Sequence, residues 1–183
     1  MFRFIVFLRA INAGRGRTVK MQFLRGVFQS LGFSKVATFI ASGNVMFETT
    51  TKKTKTLERR IEKALQEALG YEVRTFIRGE AELTKIANYH PFPQSKLDRS
   101  WHCNIIFLAD NLPPTLKRNV NAMRTKTDAF EVRGREIYWV RRTTNGTLFS
   151  NVPLEKILGR VFTVRGADTI KRIASKWCSP EIC

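Results

Sequence analysis

A short run near the start of the chain carries side chains suited to binding an anion. Residues 9–17 read Arg-Ala-Ile-Asn-Ala-Gly-Arg-Gly-Arg, so guanidinium groups and an amide surround two glycines. These glycines permit positive φ and a close approach of the backbone to a ligand. The backbone amides of such a turn, with nearby cations and the start of a following helix, suit a phosphate group. The candidate side chains are Arg9, Asn12, Arg15, Arg17 and Lys20. A loop with solvated arginines is the plainer alternative.

This run matches neither of the common phosphate-binding motifs. The dinucleotide fingerprint G-x-G-x-x-G would need a glycine at position 19, where the chain has Val19. A Walker loop would need Gly-Lys followed by Ser or Thr, and no such triplet follows the glycines.

A second polar turn, Ser42-Gly43-Asn44, follows later in the chain. Asparagine and glycine there also suit plain turn geometry, which needs no ligand. We expect both turns to build one site, provided that they lie at the same end of a sheet. The members of this site would be Arg9, Asn12, Ser42 and Asn44.

Signals for catalysis or metal binding are weak. The two histidines, His90 and His102, and the neighbouring Cys103 lack the spacing of a zinc site. The chain contains neither a G-x-S-x-G nucleophile elbow nor an H-E-x-x-H helix. Cys103 is expected to be a core residue, and Asp168 is expected to cap a helix. We therefore predict no cofactor and no metal, and we assign no catalytic residue.

The elements that must position the two turns follow from the hydrophobic pattern of residues 1–79. An apolar run, Phe4–Leu8, predicts a buried central strand, and a helix is expected from about Val19. Two strands joined by the Gly43 turn, a second helix and a fourth strand complete the order β-α-β-β-α-β. This is the ferredoxin-like, split βαβ arrangement, with both helices on one face of a four-stranded antiparallel sheet.

Residues 80–183 are expected to form a second, related α+β half. A helix, a strand from Trp101 and a helix opened by Pro113 or Pro114 precede a hairpin around Gly134. A short helical turn and a last helix from Asp168 follow. The order is β-α-β-β-α, without a clear final strand. The predicted fold class is therefore α+β, with two half-domains at 1–79 and 80–183.

The chain is strongly basic along its whole length of 183 residues. It has 32 Lys and Arg against 15 Asp and Glu, a formal charge of +17. Residues 1–79 hold 15 basic and 5 acidic side chains, and the remainder holds 17 and 10. Such a charge attracts nucleic acid or an anionic membrane surface, although it can also be only a bulk property. The densest basic surfaces are predicted at Lys52, Lys53, Lys55, Arg59 and Lys63, and at Arg133, Arg135, Arg141 and Arg142.

Two functions from different classes fit these patterns. The first is nonspecific nucleic-acid binding through phosphates, since residues 42–47 lack the paired aromatic residues with which an RNA-recognition motif stacks bases. The second is a small-molecule enzyme or binder, in which Arg9, Asn12 and Arg165 converge on an anion between the two halves. A structural protein without a ligand is a third. The sequence does not identify an activity, a substrate or a preference for DNA or RNA.

We also expect a cytoplasmic monomer without a membrane span. The three cysteines form no even disulfide framework, which suits a reducing compartment. The first apolar run is interrupted by Arg3 and Arg9 and is too short for a signal peptide. No stretch approaches the roughly 18 apolar residues of a membrane span.

Several stretches of the chain form a recognisable set of motifs. Phe7–Gly14 reads F-L-R-A-I-N-A-G, and Ser42–Val45 reads S-G-N-V. Further members of the set are Lys20, Met21 and Leu24, the loop Asn88–Phe92 and the stretch Thr163–Thr169. Together they resemble a bacterial family known only as the domain of unknown function number sixteen ninety-seven, which typically opens F-L-R-G-I-N-V-G-G.

This resemblance covers nearly the whole chain, with some departures. Ala10 and Ala13 replace Gly and Val, Arg15 replaces Gly, and Gly166-Ala167 replaces the Asn-Trp of the T-T-R-N-W-N-T motif. The resemblance implies an architecture of two α+β halves. It implies no reaction, because the family has none assigned.

Overall fold

The chain forms two compact units in the computed structural model, which describes residues 1–9, 11–12, 18–93, 100–142 and 154–178. The first unit comprises Met1–Lys85 and the C-terminal residues from Ile173 onward. The second unit comprises Ile86–Arg172. In the part of the chain that is described, no helix is long and apolar enough to cross a membrane.

The first unit has the predicted ferredoxin-like order β-α-β-β-α-β. Its elements are β1 (Phe2–Leu8), α1 (Met21–Ser30), β2 (Ser34–Thr38), β3 (Asn44–Thr49), α2 (Thr54–Leu69) and β4 (Thr75–Gly79). The strands form one antiparallel sheet in the order β2-β3-β1-β4. The predicted fold of this half is confirmed. α1 begins two residues later than expected, because Lys20 before it still has an extended backbone.

One face of this sheet packs against α1 and α2. The helical side chains buried there are Leu24 and Phe28 of α1 and Leu57, Ile61 and Leu65 of α2. Each set recurs at intervals of three or four residues, which places it on one side of its helix. Phe33 stacks on Phe47 with the ring centroids 4.4 Å apart, and this contact joins the segment before β2 to β3.

The second unit repeats this fold. Its elements are β5 (Trp101–Leu108), α4 (Pro114–Ala122), β6 (Asp128–Arg133), β7 (Glu136–Arg142), α5 (Leu154–Leu158) and β8 (Phe162–Gly166). Its antiparallel sheet has the order β6-β7-β5-β8. Two further helices, α3 (Glu80–Ala87) and α6 (Ala167–Trp177), directly follow the last strand of each sheet.

Strand β8 corrects the predicted order of the second half, which ended without a final strand. β8 pairs with β5 in antiparallel register from Phe162 to Gly166. The strand is short, and the residues that it buries most deeply are Thr163 and Arg165. Its apolar residues, Phe162 and Val164, alternate with these two but are only partly buried, so five residues with two apolar positions give a weak strand signal in the sequence.

A sequence repeat accompanies the repeated fold. Residues 77–87 read I-R-G-E-A-E-L-T-K-I-A, and residues 164–174 read V-R-G-A-D-T-I-K-R-I-A. Each segment runs from the last strand of its sheet into the following helix. The strand register also matches, since Arg78 and Arg165 each lie opposite an isoleucine of the central strand. The two units therefore share one folding pattern, with a buried arginine at the same position in each.

Candidate functional site

The Asn12 side chain links the β1–α1 connection to the turn between β2 and β3. Its Nδ2 donates hydrogen bonds to the carbonyl oxygens of Val19 at 3.1 Å and Ala41 at 2.9 Å. Its Oδ1 accepts a hydrogen bond from the backbone N–H of Val19 at 2.6 Å. Asn12 has a φ of 55°, a left-handed conformation that asparagine tolerates better than most residues. Both donors of this amide are therefore bonded to protein carbonyls.

Gly43 brings the second turn against the first. Its carbonyl oxygen accepts a hydrogen bond from the backbone N–H of Leu8 at 2.8 Å. Its φ is +74°, and a Cβ at this position would lie 3.0 Å from the Cβ atoms of Leu8 and Ile11. Glycine is therefore required at this position for two reasons: its φ is positive, and the turn lies too close to Leu8 and Ile11 for a side chain.

The buried side chain of Asn44 stabilises the same turn through hydrogen bonds. The side chain is fully buried, and its Nδ2 donates to the carbonyl oxygen of Phe39 at 2.9 Å and to Oγ of Ser42 at 3.0 Å. A buried amide needs such partners, because an unpaired polar group away from water is costly. The Ser-Gly-Asn sequence of this turn therefore has a structural explanation that involves no ligand.

The structure brings the two predicted turns together at one end of the first sheet, as the predicted joint site requires. The backbone N–H of Arg9, just after β1, donates to the carbonyl oxygen of Arg74 at 2.9 Å, and Lys20 is exposed at the start of α1. Arg15 and Arg17 lie outside the described residues. Because the Asn12 donors are already bonded to the protein, cations would have to hold an anion here. The site stays a prediction.

Arg165 lies in the second unit, on β8. Its Nη1 donates to Oγ1 of Thr163 and to the carbonyl oxygen of Val164, each at 2.8 Å. Burial lowers the pKa of the Arg165 guanidinium to about 10, so the side chain keeps its charge at neutral pH. The equivalent Arg78 of the first unit is fully buried and donates to the carbonyl oxygen of Ile77 at 2.8 Å.

The basic run predicted in the first half is partly neutralised by its surroundings. Lys55 pairs with Glu58 at 3.6 Å, and Lys63 pairs with Glu67 at 3.8 Å. The Lys52 ammonium lies 4.6 Å from the centroid of a phenylalanine ring, and Lys53 and Arg59 are exposed on or beside α2. The Lys63–Glu67 pair is exposed and contributes little to stability, whereas Glu58 is buried; both pairs reduce the charge available to a polyanion.

The basic run predicted in the second half rests largely on aromatic rings. The Arg133 guanidinium lies 4.0 Å from the centroid of Tyr89, and that of Arg141 lies 4.9 Å from the centroid of the Trp139 ring. Nε of Arg142 donates to a serine Oγ at 3.0 Å, and Arg135 is half-buried in the β6–β7 turn. The guanidinium groups of Arg133 and Arg141 are therefore held against aromatic rings by cation–π contacts.

A cavity of about 490 Å³ lies within the second unit. It is bounded by the segment that follows α3, by β5 and β7, and by the start of α6. Both of the histidines in the chain line it. The other aromatic and polar residues in the lining are Tyr89, Phe92, Trp101, Cys103, Asn104, Tyr138, Arg141, Asp168, Thr169 and Lys171. Its size and its mixture of aromatic and polar side chains are typical of a site for a small molecule.

The titratable groups in this lining do not favour nucleophilic or metal chemistry. Burial raises the pKa of the Cys103 thiol to about 11, so the thiol is neutral at physiological pH. Burial also raises the pKa of the Tyr138 hydroxyl, which donates to the carbonyl oxygen of Ile86 at 3.3 Å. Among the residues that the structure describes, no group of three His, Cys, Asp or Glu side chains could hold a metal ion.

The sequence did not predict this cavity as a site. In the sequence, the spacing of the histidines and Cys103 indicates no site, and nothing connects the aromatic residues of 89–92 with Trp101. The lining residues come from four separate segments, so no spacing in the sequence reveals them together. The one available signal was the concentration of aromatic and histidine residues in 89–92 and 101–102.

Comparison with known proteins identifies the family but no activity. The family described as "Protein of unknown function (DUF1697)" matches residues 1–138. The chain belongs to this family. The resemblance inferred from its motifs is thereby confirmed.

One solved structure similar to this chain is that of the conserved bacterial protein SP0830 from Streptococcus pneumoniae. It has a TM-score of 0.72 and 20% sequence identity, and the match covers 95% of this chain and 97% of that one. At this identity the likeness shows a shared fold and nothing about function. No match was found among curated proteins.

The Gly43 contact predicts a large effect from one added methyl group. Gly43→Ala should lower the free energy of unfolding by about 2–4 kcal/mol, because it adds left-handed strain to a clash with two Cβ atoms that cannot move independently of the backbone. Gly32→Ala is the matched control, since Gly32 has a φ of +77° and nothing lies within 4 Å of the added Cβ. It should cost only about 1 kcal/mol. Equal losses in urea denaturation would contradict the close approach.

The raised pKa of Cys103 predicts slow alkylation. At pH 8, iodoacetamide should modify Cys103 in the folded protein about a hundred times more slowly than in urea-unfolded protein, because so little thiolate is present. The rate in the folded protein should rise with pH toward 11. Mass spectrometry of the peptide that contains Cys103 measures both rates. Similar rates in folded and unfolded protein would mean that the thiol is ionised and accessible.

Proposed function

We propose that this protein binds nucleic acid through its phosphates, with the exposed cations around α4 as the main contacts. The observation that carries the proposal is a group of exposed cations in residues 111–127. This stretch has four basic side chains and no acidic one. They are Lys117, Arg118, Arg124 and Lys126, all exposed.

These four cations have no ion-pair partner among the residues that the structure describes. α4 packs its apolar side, through Leu116 and Val120, into the core of the second unit. Lys117 and Arg118 therefore lie on its solvent side. The situation on α2 is different, because Lys55 and Lys63 there are paired with glutamates. Unpaired cations release the counterions of a polyanion more effectively than cations that already have an anionic partner.

Binding of this kind has a defined physical signature. Contacts to phosphates carry little sequence information, so the expected preference among sequences is weak. The affinity should fall steeply as salt is added, because each neutralised phosphate releases condensed counterions. The net charge of the chain supports rapid association with any polyanion, but it does not by itself select a site.

A pair of double variants tests where the phosphates bind. We expect Lys117→Gln with Lys126→Gln to weaken binding of labelled single-stranded RNA and to lower the slope of log K against log salt by about 1.4, or 0.7 for each lost contact. Lys55→Gln with Lys63→Gln removes the same charge from α2 and should leave the slope nearly unchanged. Fluorescence anisotropy at several salt concentrations measures both.

Two results would contradict the proposal. Equal slope changes in the two double variants would mean that only the total charge matters. Binding to anionic lipid vesicles in preference to RNA, single-stranded DNA and duplex DNA would mean that the basic surface meets a membrane instead.

A further inference from the structure

We propose that the cavity of the second unit binds an aromatic α-amino acid, with the aromatic ring inside and the zwitterionic head group at the start of α6. Two features of the cavity support this ligand. Its floor consists of aromatic and uncharged side chains, and the first turn of α6 carries one acidic and one basic side chain beside it.

The floor of the cavity is one face of the second sheet. In the β5–β7 register, Cys103 lies opposite Val140, and in the same register Ile105 lies opposite Tyr138. Because side chains alternate between the two faces of a strand, these residues share a face with Trp101, and all of them line the cavity. The other face of the sheet packs into the second core together with α4. The cavity therefore does not rest on the function proposed for the cations around α4.

The groups on the floor are aromatic or uncharged. The ring of Tyr89, from the segment after α3, meets the ring of Tyr138 edge to face, with the centroids 4.9 Å apart. The Tyr138 hydroxyl donates a hydrogen bond to the carbonyl oxygen of Ile86 at 3.3 Å. The Cys103 thiol is neutral at physiological pH, because burial raises its pKa to about 11. Such a floor favours contact with an aromatic ring and offers no partner for a ligand charge.

The first turn of α6 supplies two opposite charges beside this floor. Asp168 and Lys171 are three residues apart on the helix, both are exposed, and both line the cavity. Residues at this spacing are neighbours on a helix surface. Each acts electrostatically on the Cys103 thiol, the carboxylate raising its pKa and the ammonium lowering it, so both charges lie near the floor. Among the described residues, neither side chain has an ion-pair or hydrogen-bond partner.

This pair of charges matches the head group of an α-amino acid. The ammonium and carboxylate of such a ligand are attached to the same carbon, so they can meet an anion and a cation that are neighbours on one helix. An aromatic amine would place its charge near the like charge of Lys171, and an aromatic acid would do the same with Asp168. The cavity volume of about 490 Å³ lies in the range of sites for small ligands.

NMR of the tryptophan indoles tests the site in the whole protein. We expect L-phenylalanine to shift the indole of Trp101 in ¹⁵N-labelled protein with a Kd of about 1 mM. The indoles of Trp139, which packs in the second core, and of Trp177, which lies in the first unit, should not move. The absence of any Trp101 shift at about 20 mM L-phenylalanine would overturn the proposal. An equal shift with L-alanine would also overturn it, because the ring would then be irrelevant.

Two derivatives of phenylalanine test the charges of the ligand. Phenylalanine amide keeps the ammonium but has no carboxylate, and N-acetylphenylalanine keeps the carboxylate but has no ammonium. We expect each derivative to bind about fivefold more weakly than L-phenylalanine, because each loses one partner on α6. Affinities equal to that of L-phenylalanine would contradict the pairing of the head group with α6.

Variants of α6 assign each contact. Lys171→Gln should weaken L-phenylalanine about fivefold without weakening phenylalanine amide, which has no carboxylate to lose a partner. Asp168→Asn should weaken L-phenylalanine by a similar factor without weakening N-acetylphenylalanine. Lys176→Gln is the matched control, since Lys176 is exposed further along α6 and does not line the cavity, and it should change none of these affinities.

The crossed design separates a charge contact from damage to the cavity. If Lys171→Gln or Asp168→Asn weakened all three ligands equally, the assigned contact would be wrong, because damage to the cavity does not depend on the charge of the ligand. Equal effects of Lys171→Gln and Lys176→Gln on L-phenylalanine would also contradict the assignment, since only the net charge would then matter.

Discussion

The fold depends on two central strands that are buried on both faces. Every side chain from Ile5 to Leu8 is at most 1% exposed, and every side chain from Ile105 to Leu108 is at most 2% exposed. Such strands must be apolar, and their backbone groups must pair with neighbours on both sides. Polar side chains that could contact a ligand can therefore lie only where these strands begin or end. The Asn12 junction follows the end of β1, and the cavity lies at the start of β5.

The repeated arginine shows how a charged side chain is accommodated in a buried part of a sheet. Arg78 and Arg165 lie at equivalent positions of the two last strands, and each donates to the carbonyl of the residue before it. Burial disfavours the charged form, and charge-assisted hydrogen bonds offset part of that cost. Strand β8 escaped prediction because it has only five residues and two apolar positions, Phe162 and Val164.

Much of the fold could be predicted from the sequence, because its elements are long and periodic. The pattern that predicts these elements is local: it lies in the five core positions of α1 and α2 and in the apolar run of β1. The turn at Gly43 was also predictable as a turn. What the sequence did not reveal was the hydrogen bond from the Asn12 amide to the carbonyl oxygen of Ala41, because that partner lies 29 residues away. The cavity was hidden for the same reason, as its lining comes from four segments.

The sequence predicts the net charge of the chain, but it does not predict which of the cations form ion pairs. The sequence indicates dense cations on α2, yet two of these lysines pair with glutamates one turn further along the helix. Those around α4 are fewer, and they have no ion-pair partner among the described residues. The two surfaces therefore differ in the pairing of their cations as well as in the number of lysines and arginines.

Photo-crosslinking tests this account most directly, because it maps a bound strand onto the protein without any substitution. Single-stranded RNA that contains 4-thiouridine would be crosslinked to the whole protein, and the modified peptides would be identified by mass spectrometry. If the phosphates bind the exposed cations around α4, crosslinks should lie in the peptides from residues 111–127. Crosslinks confined to α2 or to other parts of the first unit would contradict it.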